Sequence, residues 1–111
     1  MMPPAAPDLD AKAIAARADL AQEAHRLLEG QALIDCITGL LADLAALASS
    51  DLAQSDRPDV RRKLVGAHTV LNQGRQLGSP GFDTRAFSER VAWWTRYLAC
   101  TYRLQHDEAF R

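Results

Sequence analysis

The sequence predicts an all-α protein, a small helical bundle with one long N-terminal helix and two shorter helices. The chain has 111 residues, about the length of one domain. It is rich in alanine, leucine and arginine and poor in β-branched residues, a composition that favours helix. Its apolar residues recur at steps of three and four, the spacing of one helix face, and no alternating strand pattern or internal repeat is present. A bundle follows, because helices with apolar faces must pack those faces together.

Prolines set the N-terminal boundary of the predicted domain. Three prolines among the first seven residues favour a disordered, Pro-rich leader over residues 1–9, followed by a single helical domain over residues 10–111. Asp8 or Asp10 can cap the first helix by accepting a backbone N–H. The apolar period then continues through Gly30, which predicts one long helix over residues 10–48. Whether this helix is bent or broken at Gly30 stays open, since glycine weakens a helix.

Two shorter helices follow a polar connection. Asp56 and Pro58 favour the start of a second helix, predicted over residues 57–77, and Gly78 is placed to end it. The stretch GSPGFD then interrupts the helical pattern, and Asp83 can cap a third helix, predicted over residues 84–106. The first predicted helix is therefore about as long as the other two together.

A second apolar seam lies on the first predicted helix, between residues 33 and 48. Its members again step by four and three: Leu33, Ile37, Leu40, Leu44 and Leu47. Together with the first seam they form an apolar arc wider than one helix contact requires. We therefore expect this helix to be covered on more than one side, and the five residues are candidates for partner binding.

The third predicted helix carries both tryptophans and both tyrosines of the chain, within the stretch VAWWTRYLACTYRL. At about 100° per residue the apolar side chains separate into two stripes. One stripe is an ordinary core face: Phe87, Val91, Trp94, Leu98 and Tyr102. The other, on a neighbouring face, consists of Trp93, Tyr97, Cys100 and Leu104.

This second stripe needs a cover. Leaving Trp93, Tyr97 and Leu104 in water would expose roughly 400 Å², as much as the largest apolar patch on a typical monomer. Three surfaces could pack on this stripe: the first helix of the same chain, a second copy in a homodimer, or a different protein. Because tryptophan, tyrosine and arginine are enriched at binding hot spots, these three residues are the main candidates for partner binding.

Charge is divided unevenly, although the net charge is only −1. Residues 1–56 contain three basic and nine acidic side chains, whereas residues 57–103 contain nine basic and three acidic ones. The simpler interpretation is that the two parts attract each other within a monomer or dimer; the alternative is that one part binds a charged partner. The stretch RPDVRRKL suggests nucleic-acid binding, but the connection to the next helix is too long for a helix-turn-helix and the pI is near 6.3. Direct nucleic-acid binding is not expected.

Residue types that carry catalysis or bind metals are scattered. His25, His68 and His106 belong to no HExxH motif or Cys/His cluster, and Cys36 and Cys100 have no CxxC spacing. A nucleophilic pair of either cysteine with His68 would have to assemble through the fold, and free, buried thiols are the more ordinary expectation. We therefore expect no enzyme activity, no metal and no cofactor.

The sequence also predicts a cytoplasmic protein. The N-terminus lacks the basic and apolar regions of a signal peptide, and free cysteines are typical of a reducing compartment. The longest apolar run, LLADLAALA, is short and contains Asp43. We therefore expect no membrane span.

The size of the chain, its Pro-rich start and two apolar stretches carry a resemblance to a known family. The stretches are ALIDCITGLLADLAALA and RVAWWTRYLACTYRL. With them the chain resembles the QslA-like quorum-sensing antiactivators of pseudomonads. This resemblance implies a non-enzymatic interaction module that binds a LuxR-type transcriptional regulator and blocks its dimerisation and DNA binding. A structural or assembly homodimer is the alternative function, and a small nucleic-acid-binding adaptor is a second alternative.

Overall fold

Four α-helices build the protein in a computed structural model that describes the backbone of residues 9–109 and the side chains of residues 9–106. They are α1 (Ala11–Ala24), α2 (Gly30–Ala48), α3 (Pro58–Gln73) and α4 (Thr84–Ala109), with short 3-10 turns at Asp51–Gln54 and Gly74–Gln76. No strand occurs among the described residues. The prediction of a small all-α bundle is therefore confirmed. The predicted leader, apart from residue 9, lies outside the described residues.

The single long helix predicted over residues 10–48 is wrong, because the chain folds back between α1 and α2. Gly30 has a φ angle of +57°, in the left-handed region that disfavours residues with a side chain. Arg85 of α4 holds this turn, since its guanidinium donates to the backbone carbonyls of His25 and Leu28, the latter at 3.2 Å. The apolar period continues across the turn because both helices present apolar faces to one core.

The remaining helix boundaries lie close to their predicted positions. Pro58 is the first residue of α3. Asp83 caps α4, where its Oδ1 accepts a backbone N–H three residues ahead at 3.1 Å. After the 3-10 turn that follows α3, Gly78 has a φ angle of +89°, which suits its predicted role as a helix stop. Helix α4 extends beyond its predicted end at residue 106, to Ala109.

Helix α4 is the centre of the bundle and packs against each of the other three helices. Its contact with α1 is the most extensive. Small residues are frequent among the buried residues of both helices: Ala11, Ala18 and Ala21 on α1, and Ser88, Ala92 and Ala99 on α4. Short side chains let two helix backbones approach closely. The hydrophobic pattern does not reveal this face of α4, because alanine and serine contribute little to it.

The acidic and basic parts of the chain meet within the bundle. Arg96 of α4 pairs with Asp19 of α1 at 3.0 Å. Pairs at the surface contribute about 0–1 kcal/mol each. Attraction between the two parts is thus satisfied at least once inside a single chain, in agreement with the simpler interpretation of the charge pattern.

One segment among the described residues, Gly30–Gln54, has the length and mean hydropathy (1.7) of a membrane-spanning helix. It is longer than the run LLADLAALA, on which the expectation of no span rests. In the bundle its leucine seam packs in the core, and a helix that is apolar on more than one side suits either environment. The absence of a membrane span therefore stays a prediction from the sequence.

Candidate partner-binding surface

An aromatic cluster occupies the middle of α4. The rings of Trp93 and Tyr97, one turn apart, lie against each other with centroids 4.8 Å apart and an interplanar angle of 36°. Trp94 contacts both edge-on, at 5.2 Å from Trp93 and 5.7 Å from Tyr97. Aromatic pairs of this kind contribute about 0.5–1.5 kcal/mol beyond their burial. The three rings therefore fix each other's orientation.

Helix α3 supports this cluster from one side. Gly66 faces the Trp94 indole so closely that a Cβ added there would lie 2.7 Å from ring atom Cζ2. Lys63 Nζ lies 4.9 Å from the centroid of the Tyr97 ring and donates to Thr101 Oγ1 at 3.5 Å. Trp94 is half-buried by this packing.

The second stripe predicted on this helix remains largely uncovered. Trp93 is 51% exposed and Leu104 is 64% exposed, while Tyr97 is half-buried and Cys100 is exposed. This exposure shows that the first predicted helix, over residues 10–48, does not cover the stripe within the same chain, so that alternative is wrong. We call Trp93, Tyr97 and Leu104 the aromatic patch.

Basic side chains border the aromatic patch. Arg62 and Lys63 line a shallow depression together with its aromatic rings. Lys63 also lines a neighbouring depression with Leu104. Asp59 touches both depressions, but it is paired with Arg57 at 3.2 Å. The apolar surface is therefore continuous with a basic border, which suits a partner that offers apolar anchors and acidic groups.

The leucine seam of α2, in contrast, belongs to the core. Its side chains are each no more than 5% exposed: Leu33, Ile37, Leu40, Leu44 and Leu47. They point into the bundle because α2 packs against both α4 and α3. Their assignment to a partner-binding surface is therefore wrong, since a partner could reach them only if the bundle opened.

Two residues that lie far apart on the predicted long helix meet beside the α1–α2 turn. Cys36 Sγ lies 3.6 Å from His25 Nε2. The His25 side chain is buried, and its Nδ1 has no hydrogen-bond partner among the described residues. Burial lowers the pKa of His25; the nearby Arg85 also lowers this pKa, whereas Glu89 raises it. Burial raises the pKa of the Cys36 thiol. Both side chains are therefore neutral at pH 7.

The sequence could not reveal this pair, because a continuous helix would separate the two residues by about 16 Å along its axis. The Cys/His pair considered from the sequence involves His68, which is exposed on α3. The expectation of buried thiols is also wrong, since Cys36 is half-buried and Cys100 is exposed. Gly30 marks the break of the helix in the sequence, but it does not show which side chain His25 meets across the turn.

Other features offer little chemistry. Within the part of the chain that the structure describes, no three His, Cys, Asp or Glu side chains are grouped so that they could hold a metal ion. The aromatic patch, in contrast, combines exposed apolar side chains, rings ordered by mutual contacts and a basic border. No family model, curated protein or solved structure matches this chain.

Proposed function

We propose that this chain is a non-enzymatic, cytoplasmic interaction module that binds a LuxR-type quorum-sensing regulator through the aromatic patch and blocks its dimerisation and DNA binding. The observation that carries the proposal is the exposure of Trp93 and Leu104 on an ordered helix, beside the Tyr97 ring. The resemblance of the sequence to quorum-sensing antiactivators supports the choice of regulator.

The aromatic patch has the physical properties of a binding hot spot. Burying the exposed parts of Trp93 and Leu104 would remove on the order of 200 Å² from water, worth about 5 kcal/mol before association costs. The rings are already ordered by their contacts with Trp94, so binding immobilises few additional rotamers. Such rigid aromatic anchors are typical of residues that dominate binding energy.

Competition for a helical surface explains how a small module could dismantle a dimer. A protein that dimerises through helices buries apolar anchors, and another helix with anchors at similar spacing can take the same groove. Trp93, Tyr97 and Leu104 lie on one side of α4 over about three turns. Arg62 and Lys63 at its border would favour acidic groups around such a groove and speed the encounter.

Truncation of the aromatic patch tests the proposal. Trp93→Ala combined with Tyr97→Ala should weaken binding to the purified ligand-binding domain of a LuxR-type regulator by about 30-fold or more, since hot-spot truncations cost at least about 2 kcal/mol. Isothermal titration calorimetry measures the affinity, and size-exclusion chromatography with light scattering measures whether the regulator dimer dissociates.

A matched control uses another exposed apolar side chain. Leu27 is 85% exposed near the α1–α2 turn, so Leu27→Ala should leave the affinity within about twofold. Because Tyr97 also packs on Trp94 and Lys63, the single variant Trp93→Asp serves as a second test at a position that contributes less to folding. Unchanged affinity in Trp93→Asp would refute this surface as the binding site.

A homodimer is the alternative function, and the same surface would serve it, because an exposed apolar patch can also cover itself in a second copy. Native mass spectrometry of the chain alone and with the regulator separates the two functions. A dimer that Trp93→Asp dissociates, without any complex with the regulator, would favour the structural role. A DNA-binding adaptor would instead shift a DNA probe in a salt-sensitive manner.

A further inference from the structure

A second surface feature lies between α1 and α2, away from the aromatic patch. These helices run antiparallel from the turn that joins them, and the ion pair of Arg17 with Asp43, at 3.0 Å, links the middle of α1 to the C-terminal part of α2. Between them a groove of about 520 Å³ remains open. We call it the α1–α2 groove; its lining includes Leu20, Ala21, Ala24, Gly39 and Leu40.

The shape of the α1–α2 groove suits a small linear apolar ligand. Its volume falls within the range of about 300–1,000 Å³ that is usual for small-molecule sites. Its lining residues extend over two turns of each helix, which gives a length of about 10 Å. Gly39 contributes to the open space, since a Cβ placed there would meet no atom within 4 Å. Leu20, 71% exposed, forms part of the apolar wall.

A thiol lies at one end of this groove. Cys36 is part of the lining, near the turn, while the Arg17–Asp43 pair forms the opposite end. The imidazole of His25 lies behind the thiol, with Nε2 at 3.6 Å from Sγ. In the tautomer that carries its proton on Nδ1, His25 offers the Nε2 lone pair to the thiol proton. The groove thus combines a hydrocarbon-binding wall, a nucleophile and a base.

We propose that the α1–α2 groove binds a medium-length acyl chain and that Cys36 is a site of S-acylation by an acyl thioester. The chain lies along the apolar wall between Leu20 and Leu40, with its carbonyl carbon at Cys36. The tail ends short of the Arg17–Asp43 pair. A longer chain would extend beyond the groove into water, and a short one would leave most of the apolar wall without contact.

The reaction is a transthioesterification. His25 Nε2 accepts the Cys36 proton as Sγ attacks the thioester carbonyl, which forms the new S–C bond. The S–C bond to the carrier thiol then breaks, and the departing sulfur takes the proton from His25. No oxidant or reductant is needed, and one thioester replaces another. The neutral state of both side chains fits this sequence of steps, since an uncharged imidazole is free to accept the proton.

Acylation of the purified protein by octanoyl-CoA tests the site. Intact-mass spectrometry should show one octanoyl group that neutral hydroxylamine removes, and peptide mapping should place it on Cys36. Cys36→Ser should abolish the modification, and Cys100→Ser, which removes the exposed thiol, should retain it. Acetyl-CoA at the same concentration should react at least 10-fold more slowly, because its chain is too short to use the groove.

Two further variants separate the groove from the thiol itself. Gly39→Leu places a side chain in the open space of the groove and should slow octanoylation at least 10-fold, while circular dichroism should show that the helices are retained. His25→Gln should slow it about 100-fold, the scale of general-base assistance. If His25→Gln fails to fold, Gly39→Leu still tests whether the groove binds the acyl chain. Equal labelling of Cys36 and Cys100, equal rates with acetyl-CoA, or full activity in Gly39→Leu would overturn the proposal.

Discussion

At the scale of single residues, one missing methyl group shapes the aromatic patch. Gly66 on α3 leaves the space that the Trp94 indole fills, and Trp94 in turn holds Trp93 and Tyr97 edge-on. A glycine within a helix ordinarily costs about 1 kcal/mol relative to alanine. Here that cost is offset by the packing of a large aromatic ring. The orientation of the exposed side chains therefore depends on a residue that is not itself a partner-binding candidate.

A pair of identical substitutions tests this contact. Gly66→Ala should lower the free energy of unfolding by about 1 kcal/mol, because overpacking against the indole outweighs the gain in helix propensity. Gly39→Ala, whose Cβ would meet no atom within 4 Å, should instead raise it by about 0.5–1 kcal/mol. Urea unfolding measures both, and near-ultraviolet circular dichroism should change only for Gly66→Ala. Equal stabilisation by the two substitutions would contradict the proposed role of Gly66.

At the scale of the elements, the turn between α1 and α2 decides the architecture. Helix carbonyls near a C-terminus lack partners within the helix, and a cation there is favoured by the helix dipole. Arg85 of α4 supplies both the hydrogen-bond donors and the positive charge, since its guanidinium donates to the carbonyls of His25 and Leu28. A side chain 60 positions from His25 along the chain thus stabilises the break that the local sequence leaves open.

Removal of the guanidinium should loosen this turn. Arg85→Met keeps the aliphatic stem but loses both hydrogen bonds, so we expect a loss of about 1 kcal/mol in the free energy of unfolding and faster amide exchange over residues 25–30. Hydrogen exchange followed by mass spectrometry resolves the segment. The matched control is Arg90→Met, which loses one exposed bond to Gln73 and should change stability by less than about 0.5 kcal/mol. Unaltered exchange in Arg85→Met would show that the turn holds without this side chain.

At the scale of the whole molecule, His25 links three helices and makes the stability of the bundle depend on pH. It ends α1, contacts Cys36 of α2 and lies near Arg85 and Glu89 of α4. Its pKa is lowered, chiefly by burial, from an ordinary value of about 6.5. Below that value the unfolded chain binds a proton that the folded chain does not bind. Stability should therefore be full above about pH 6.5 and fall as the pH decreases through the window below it.

The pH dependence of stability should disappear when the His25 side chain is replaced. Urea unfolding of the natural sequence at pH 7.5 and 5.0 should show a loss of stability at the lower pH, and His25→Gln should lose much less between the same two values. His68→Gln, at an exposed position on α3, should retain the dependence. An equal pH effect in all three proteins would assign it to other groups.

Local patterns in the sequence were sufficient for the helical class, the start of α3 and the start of α4, whereas α3 ends at Gln73 and not at the predicted residue 77. They are sufficient because a cap, a proline or a glycine acts through the backbone of its own turn, as Asp83 and Pro58 do. The two stripes of α4 were predicted for the same reason, since residues three and four positions apart share a helix face, whichever element packs against that face. The separation predicts that the second stripe lies off the core face, but it does not predict whether another surface covers Trp93 and Leu104.

The tertiary structure alone decided which apolar face became core. The Leu33 to Leu47 seam and the aromatic patch look alike in the sequence, yet the first is buried and the second is open to water. The difference arises because the break at Gly30 lets α1 and α2 pack separately on α4. The same break brings Cys36 to His25 and opens the α1–α2 groove. Contacts between residues distant in the chain depend on how whole helices meet, and no local pattern encodes that.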